Sequence, residues 1–233
     1  MPPRKSLPRK TVPRSTLLSF KGKGWQLLGW GFVYILFSFL IIPVAWAMQW
    51  LCEWFARNLR FSDRNTASFQ GKGKDVWVYF VLIGAIAWIP HLLSVYVFQD
   101  ARWPTILFGF LLIPLDALLM LPIIRWFFAN IKCTKNLKFN FHGNYAGYLG
   151  WMLLANLSVI TIIGWAWAAV GMQRWIYQNV KAGSSKLVFQ GTGWGLLWRS
   201  ILAILGSVLL VTIPWMVTWI LKWYVKNTVV VKK

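Results

Sequence analysis

Acidic residues are nearly absent: the 233 residues hold 5 Asp and Glu against 25 Lys and Arg. Such a chain offers no paired carboxylates for general acid–base work unless folding happens to bring two together. Histidine is equally scarce, with only His91 and His142. The two cysteines, Cys52 and Cys133, have no CxxC spacing and no nearby histidine pair, so neither a zinc site nor a redox motif is suggested. Both stand beside basic linkers and read as reduced, structural thiols. GxSxG and HExxH are missing too. No enzyme activity, metal or cofactor is expected.

What the chain has is apolar side chains: 58% of its residues, with 13% charged and a mean hydropathy of +0.55. That is too apolar for a soluble domain. A net charge of +20 in a soluble protein would suggest nucleic acid. Here the Lys/Arg excess of cytoplasmic loops explains it, and no nucleic-acid partner is expected. Eighteen tryptophans fit a chain that meets the membrane–water boundary. Residues 1–16, MPPRKSLPRKTVPRST, are basic and interrupted by proline. They read as a disordered arm resting on anionic headgroups. No small-residue cleavage site ends the next apolar run, and Pro2 stands where N-myristoylation needs glycine.

One pattern recurs four times. Trp-x-x-x-Asn appears at Trp54/Asn58, Trp126/Asn130, Trp175/Asn179 and Trp223/Asn227. Phe-x-Gly appears at Phe20/Gly22, Phe69/Gly71, Phe141/Gly143 and Phe189/Gly191. Phe to Trp spans 34 positions in three units (54 − 20, 175 − 141, 223 − 189) and 57 in unit two (126 − 69). The repeats are therefore 20–58, 69–130, 141–179 and 189–227, within one integral membrane domain over 17–233. Pro43, Gly164 and Pro214 break the apolar stretches of units one, three and four. Every linker is basic, so all linkers and both termini are expected in the cytoplasm, and each unit is a helical hairpin. In the short units each helix has about 15 to 18 residues against a hydrocarbon core of about 30 Å, so these hairpins either span thinly or are re-entrant. Trp46, Trp165, Trp167, Trp215 and Trp219 follow the turns, as an outer aromatic belt would. Unit two is long enough for two full spans, near 76–98 and 104–128, joined by a polar loop at 99–103. The linkers at 58–69, 130–141 and 179–189 read as strand, turn, strand, and the tail 227–231 is strand-like. The expected fold is thus an all-α polytopic membrane protein with four tandem helical hairpins, about eight membrane helices, and small cytoplasmic β-hairpin linkers.

The third unit, Phe141 to Val180, resembles the YjgN-like family of bacterial inner-membrane proteins, a family of unknown function. Phe141, Gly143, Tyr148, Asn156, Thr161, Gly164, Trp167, Arg174, Trp175, Tyr177 and Asn179 carry the resemblance, and the tail IPWMVTWILKWYVKNT is similar to that family's C-terminal end. The likeness covers 139–228 well and is only a pattern before that. It implies a multi-pass protein of the bacterial inner membrane, and supplies no substrate, cofactor or catalytic residue.

Three groups of residues are candidates for function. Asp116 lies in the middle of the long span of unit two, where a carboxylate is a functional-site hypothesis by default, with His91 and Arg199 as candidate partners. The Phe-x-Gly-x-Gly turns expose amides to an anion, and Lys21, Lys23, Lys72, Lys74 and Lys181 are candidate contacts for an anionic lipid or ligand. Unit three departs, with Tyr145 for the second glycine. The third group is the repeat signature: the four Trp/Asn pairs with Gly22, Gly71, Gly143 and Gly191. Its expected role is structural, with Arg125, Arg174 and Lys222 favourable at helix C-termini and Asn in a left-handed cap; Glu53 breaks the basic pattern. Four parallel units can surround a central cavity. The chain reads as a small transporter, channel-like or lipid-binding membrane protein in contact with anionic lipids. The alternative is a membrane scaffold that binds a protein partner, or a second copy, through its linkers.

Overall fold

A computed structural model describes residues 15–38, 43–62, 65–97, 102–133, 138–183 and 185–232. The elements run β1 (Ser15–Phe20), α1 (Gly24–Ser38), α2 (Val44–Asn58), β2 (Leu59–Phe61), β3 (Ala67–Phe69), α3 (Trp77–Tyr96), α4 (Arg102–Asn130), β4 (Ile131–Cys133), β5 (Phe139–Phe141), α5 (Tyr145–Ser158), α6 (Trp165–Gln178), β6 (Val180–Ala182), β7 (Ser185–Phe189), α7 (Gly193–Gly206), α8 (Ile213–Lys226) and β8 (Thr228–Lys232). The chain is therefore four strand–helix–helix–strand units, mostly helical. Pro43 and Gly164 cap the starts of α2 and α6, and Pro214 sits in the first turn of α8, where proline's missing N–H costs nothing. Residues 99–101 of the polar loop expected at 99–103, and most of the basic arm, lie outside the described residues; Arg102 and Trp103, expected in that loop, instead open α4. Ser15 and Thr16, expected in that arm, instead open β1.

Among the described residues, only α3 and α4 are long and apolar enough to cross a membrane. At 1.5 Å per residue, the 20 residues of α3 reach about 30 Å and the 29 of α4 about 44 Å. The other six helices have 14 or 15 residues, about 21 to 22 Å.

The linkers do more than form separate hairpins, and the expectation of an all-α fold needs correction. Every unit closes its own base with an antiparallel pair in one register: Phe20 opposite Leu59, Phe69 opposite Ile131, Phe141 opposite Val180, Phe189 opposite Thr228. Adjacent units are then joined. β6 pairs with β7 and β8 pairs with β1, giving a six-stranded sheet in the order β2-β1-β8-β7-β6-β5. The single bridges Arg60–Thr66 and Lys132–Lys138 attach the β3–β4 ribbon at both ends. The strands form a closed antiparallel ring of eight, in chain order. The helices close likewise, each packing on its neighbours and α8 returning to α1. Period-two alternation fills the ring: Leu18, Phe61, Phe139 and Leu187 are buried, while Lys132, Lys138, Lys181 and Lys186 are exposed.

The repeat signature is a clamp at the base of each unit. The Asn side chain donates back to the Trp carbonyl in all four copies: Asn58 to Trp54 at 2.8 Å, Asn130 to Trp126 at 2.8 Å, Asn179 to Trp175 at 2.9 Å, Asn227 to Trp223 at 2.8 Å. The Asn carbonyl accepts from the amide after the Phe: Lys21, Gln70, His142 and Gln190, at 2.8 to 3.0 Å. Phe and Trp meet edge to face, with centroids 5.0 to 5.9 Å apart. Glycine follows because a Cβ at Gly22, Gly71, Gly143 or Gly191 would come under 3.0 Å from both rings. Asn179 and Asn227 have φ of −90° and −87°, so the expected left-handed cap does not form; the back-bonding side chain does the capping.

The second glycine serves the joint between units. A Cβ on Gly24 would strike Trp215 of α8, one on Gly193 would strike Trp167 of α6, and one on Gly73 would strike the backbone of Ala45 and Trp46 on α2. Trp167 and Trp215, expected in an outer belt, thus cover the start of the next unit with their rings, and at Gly73 the backbone at Trp46 does so. Each of the three stands eight positions before its motif Trp (54 − 46, 175 − 167, 223 − 215). The equivalent residue in unit two is Leu118 (126 − 118), and there the next unit carries Tyr145, whose hydroxyl donates to the Pro114 carbonyl at 2.9 Å. A large–small pair has become a small–large one.

Gly143→Ala or Gly191→Ala is expected to lower stability by about 1–3 kcal/mol through overpacking. Gly150→Ala, with open space around its Cβ position, should be neutral or stabilising by up to about 1 kcal/mol. Thermal unfolding of the purified variants measures both; equal losses at Gly143 and Gly150 would refute the clamp.

Candidate functional site

The residues proposed around Asp116 are not brought together. Asp116 sits at the middle of α4, half-buried, beside fully buried Ala117. No hydrogen bond or ion pair reaches its carboxylate among the described residues. His91 is exposed on α3, where its ring lies 5.8 Å from that of Trp88. Arg199 is on α7 and already engaged: it donates to the Gly195 carbonyl at 2.9 Å and lies over Trp223 and Trp219, at 5.2 and 5.8 Å from the ring centroids. A guanidinium held by two indole faces in its own unit has no reason to seek α4.

In each glycine turn one backbone amide is already bonded to a side chain: Gln26 Oε1 accepts from the Lys23 amide, Gln49 Oε1 from Gly73, Asn144 Oδ1 from Gly147 and Thr192 Oγ1 from Gly195. The turns also offer an anion side-chain charge. Lys21 and Lys23 flank Gly22, Lys72 and Lys74 flank Gly73, and all four are exposed, as is Lys181 on the outer face of β6. Lys181 stands directly opposite Lys186, and Lys132 opposite Lys138. Like charges in register are unfavourable alone, so this face suits an anionic neighbour.

The basic residues before the motif Trp act across units rather than on their own helix ends alone. Arg125 donates to the Gly143 carbonyl of the next unit at 3.2 Å, and Arg174 to the Gly191 carbonyl at 2.7 Å. Glu53, the exception, accepts from Gln49 and pairs with Arg57 at 3.4 Å.

The feature the sequence did not single out is a cavity of about 400 Å³ where the helix C-termini enter the strand ring. All four units line it: Cys52 and Phe61 from unit one, Ile124 and Trp126 from unit two, Tyr177 from unit three and Val230 from unit four are representative. Its lining contains no Asp, Glu, Lys, Arg or His, and does not reach Asp116. Both cysteines are buried, and neither is in a disulfide among the described residues. Trp126 is the one residue among those described whose buried side-chain donor, Nε1–H, has no partner. The signal for the cavity was present in the repeat: nine of the twelve positions that stand two before or two after a motif Trp, or one after a motif Asn, line it.

No known protein family, no curated protein and no solved structure matches this chain.

Asp116→Asn is expected to change stability by less than about 0.5 kcal/mol, because no partner is lost. Asn179→Asp, which puts an acceptor against the Trp175 carbonyl, should cost about 1–3 kcal/mol. Denaturant or thermal midpoints of the two variants decide it; the reverse order would mean that Asp116 holds the fold and the clamp does not.

Proposed function

We propose that this chain is a multi-pass protein of the bacterial inner membrane that holds an apolar, lipid-like molecule in the cavity shared by its four units. The observation that carries this reading is the cavity itself. Its 400 Å³ falls within the range of ligand sites, about 300–1,000 Å³. The cavity is half open and its wall is almost wholly apolar, so leaving that wall against water costs free energy. A flexible apolar occupant removes that cost.

The membrane half of the reading rests on exposed apolar surface. Leu111 on α4 and Phe32 on α1 are 73% and 69% exposed, and the turns between α5 and α6 and between α7 and α8 expose Ile160, Ile162, Val208 and Leu210. Water would penalise such surface heavily, and hydrocarbon would not. The same turns satisfy their backbone internally. Thr161 Oγ1 donates to the Ser158 carbonyl and accepts from the Gly164 amide, and Thr212 Oγ1 bonds the Gly206 and Leu209 carbonyls. Turns built this way suit tips that end within the bilayer, which fits helices too short to cross it. The basic linkers then face the cytoplasm with both termini, against anionic headgroups. The resemblance to YjgN-like proteins supports the same location.

Ion-coupled transport finds less support, since the cavity is apolar and stops short of Asp116. Scaffolding by strand addition finds little, since the strand ring leaves no open edge between neighbours.

Two measurements test the proposal. Ser62→Cys, Asn136→Cys and Ser184→Cys should all be labelled from the cytoplasmic side alone; periplasmic labelling of any one retires the topology. The chain purified in mild detergent should carry about one equivalent of a long-chain apolar molecule, and stripping it should lower Tm by several degrees. A chain that carries none, and whose Tm ignores added lipid, retires the ligand site.

A further inference from the structure

The cavity is not uniformly apolar, and its one polar corner breaks the fourfold pattern. Two residues before the motif Trp the cavity wall has Gln173 in unit three, where the other units carry Cys, Ile and Leu. Two residues after it stands Tyr177, in place of Ala, Phe and Val. One residue after the motif Asn stands Thr228, in place of Leu, Ile and Val. These three departures meet on one wall, at the join of units three and four. Thr228 Oγ1 lies 3.5 Å from the Tyr177 hydroxyl. The Thr228 proton is already committed to the Tyr224 carbonyl at 2.8 Å. Gln173 is the other side chain of the wall that interacts with the Tyr177 hydroxyl. The Thr228–Tyr177 contact is long for an O–H···O bond, so a ligand oxygen that reaches this corner finds hydroxyl and amide groups able to bond it more closely.

We infer that the cavity selects an apolar molecule bearing one uncharged oxygen function, seated at Gln173, Tyr177 and Thr228. The inference rests on the reading of the cavity as a lipid site and adds the chemistry of its ligand. Neutrality follows from the lining, which has no charged side chain to pair with a carboxylate or ammonium, and an unpaired charge is expelled from such a wall. One head rather than several follows from the corner being the single place where polar side chains replace the apolar repeat. The place of the head follows as well: it lies against units three and four.

The test compares three probes of one length on the full chain in nanodiscs: 12-bromododecan-1-ol, 1-bromododecane and 12-bromododecanoate. Bromine quenches indole fluorescence, and Trp126 lines the cavity, so the saturable part of the quenching reports occupancy. The alcohol should bind the wild-type chain about tenfold more tightly than the bromoalkane, the difference made by one hydrogen bond that replaces a poor one. Tyr177→Phe and Thr228→Val should each remove that preference and leave bromoalkane binding unchanged, which also shows that the variants fold. Equal binding of alcohol and bromoalkane to the wild type, or a preference that survives both substitutions, overturns the neutral-head inference and leaves the lipid site standing. Tightest binding by the carboxylate overturns it too. Saturable quenching by none of the three overturns the lipid site itself.

Discussion

Everything in this protein depends on a contact made four times, the edge-to-face packing of Phe on Trp over a glycine. The contact is local in space but joins the two ends of each unit, so it performs the same task as a short loop. It brings the amide after Phe to the carbonyl of Asn, and that hydrogen bond sets the strand register in every unit. Lengthening the unit does not disturb it. Unit two has helices of 20 and 29 residues where the others have 14 or 15, and its clamp has the same geometry. Helix length is free to vary above the clamp, and the ring below it is not.

The joints between units use a second set of contacts with looser rules. The rings of Trp167 and Trp215, and the backbone at Ala45 and Trp46, press on the start of the next unit, and the glycines there admit them. In the fourth joint Leu118 and Tyr145 exchange the sizes, and Tyr145 reaches the Pro114 carbonyl. What is preserved is a contact across the joint rather than residue identity. Arg125 and Arg174 add a polar strut to the glycine carbonyl of the following unit, and Glu53 abandons it for partners on its own helix. The repeat is strict where backbone geometry is at stake and tolerant where only space is filled.

This division explains what could be read from the chain. The four units, their helical hairpins and the strands at their ends were legible because Trp-x-x-x-Asn and Phe-x-Gly recur at fixed spacing and any change there breaks the clamp. The closed ring was not, because strands of three residues carry little pattern and half of the pairings join different linkers. Asp116 stood out by rarity, and rarity alone does not bring partners: His91 faces outward beside Trp88, and Arg199 is held by Trp219 and Trp223. Gln173, Tyr177 and Thr228 escaped notice for the opposite reason, since each is ordinary alone and unusual only against its three counterparts. In a repeat protein, the departures from the repeat mark where one unit has been given work the others lack.

The same comparison accounts for how the ring closes. Three of its four joints are held by continuous chain, and at two of these the rung two residues past Asn places lysine opposite lysine: Lys132 with Lys138, and Lys181 with Lys186. The third covalent joint sets Arg60 opposite Thr66. Chain connection keeps such strands together despite repulsion, because the loop is short and the entropy of meeting is already spent. The fourth joint, β8 to β1, joins the two ends of the described chain and has no such help. There the equivalent rung is Leu17 opposite Val229, uncharged, and its strands are lengthened to six and five residues, with Val229 and Val230 buried. Charge is thus kept away from the one seam where repulsion could open the ring. The lysine rungs sit where the fold tolerates them.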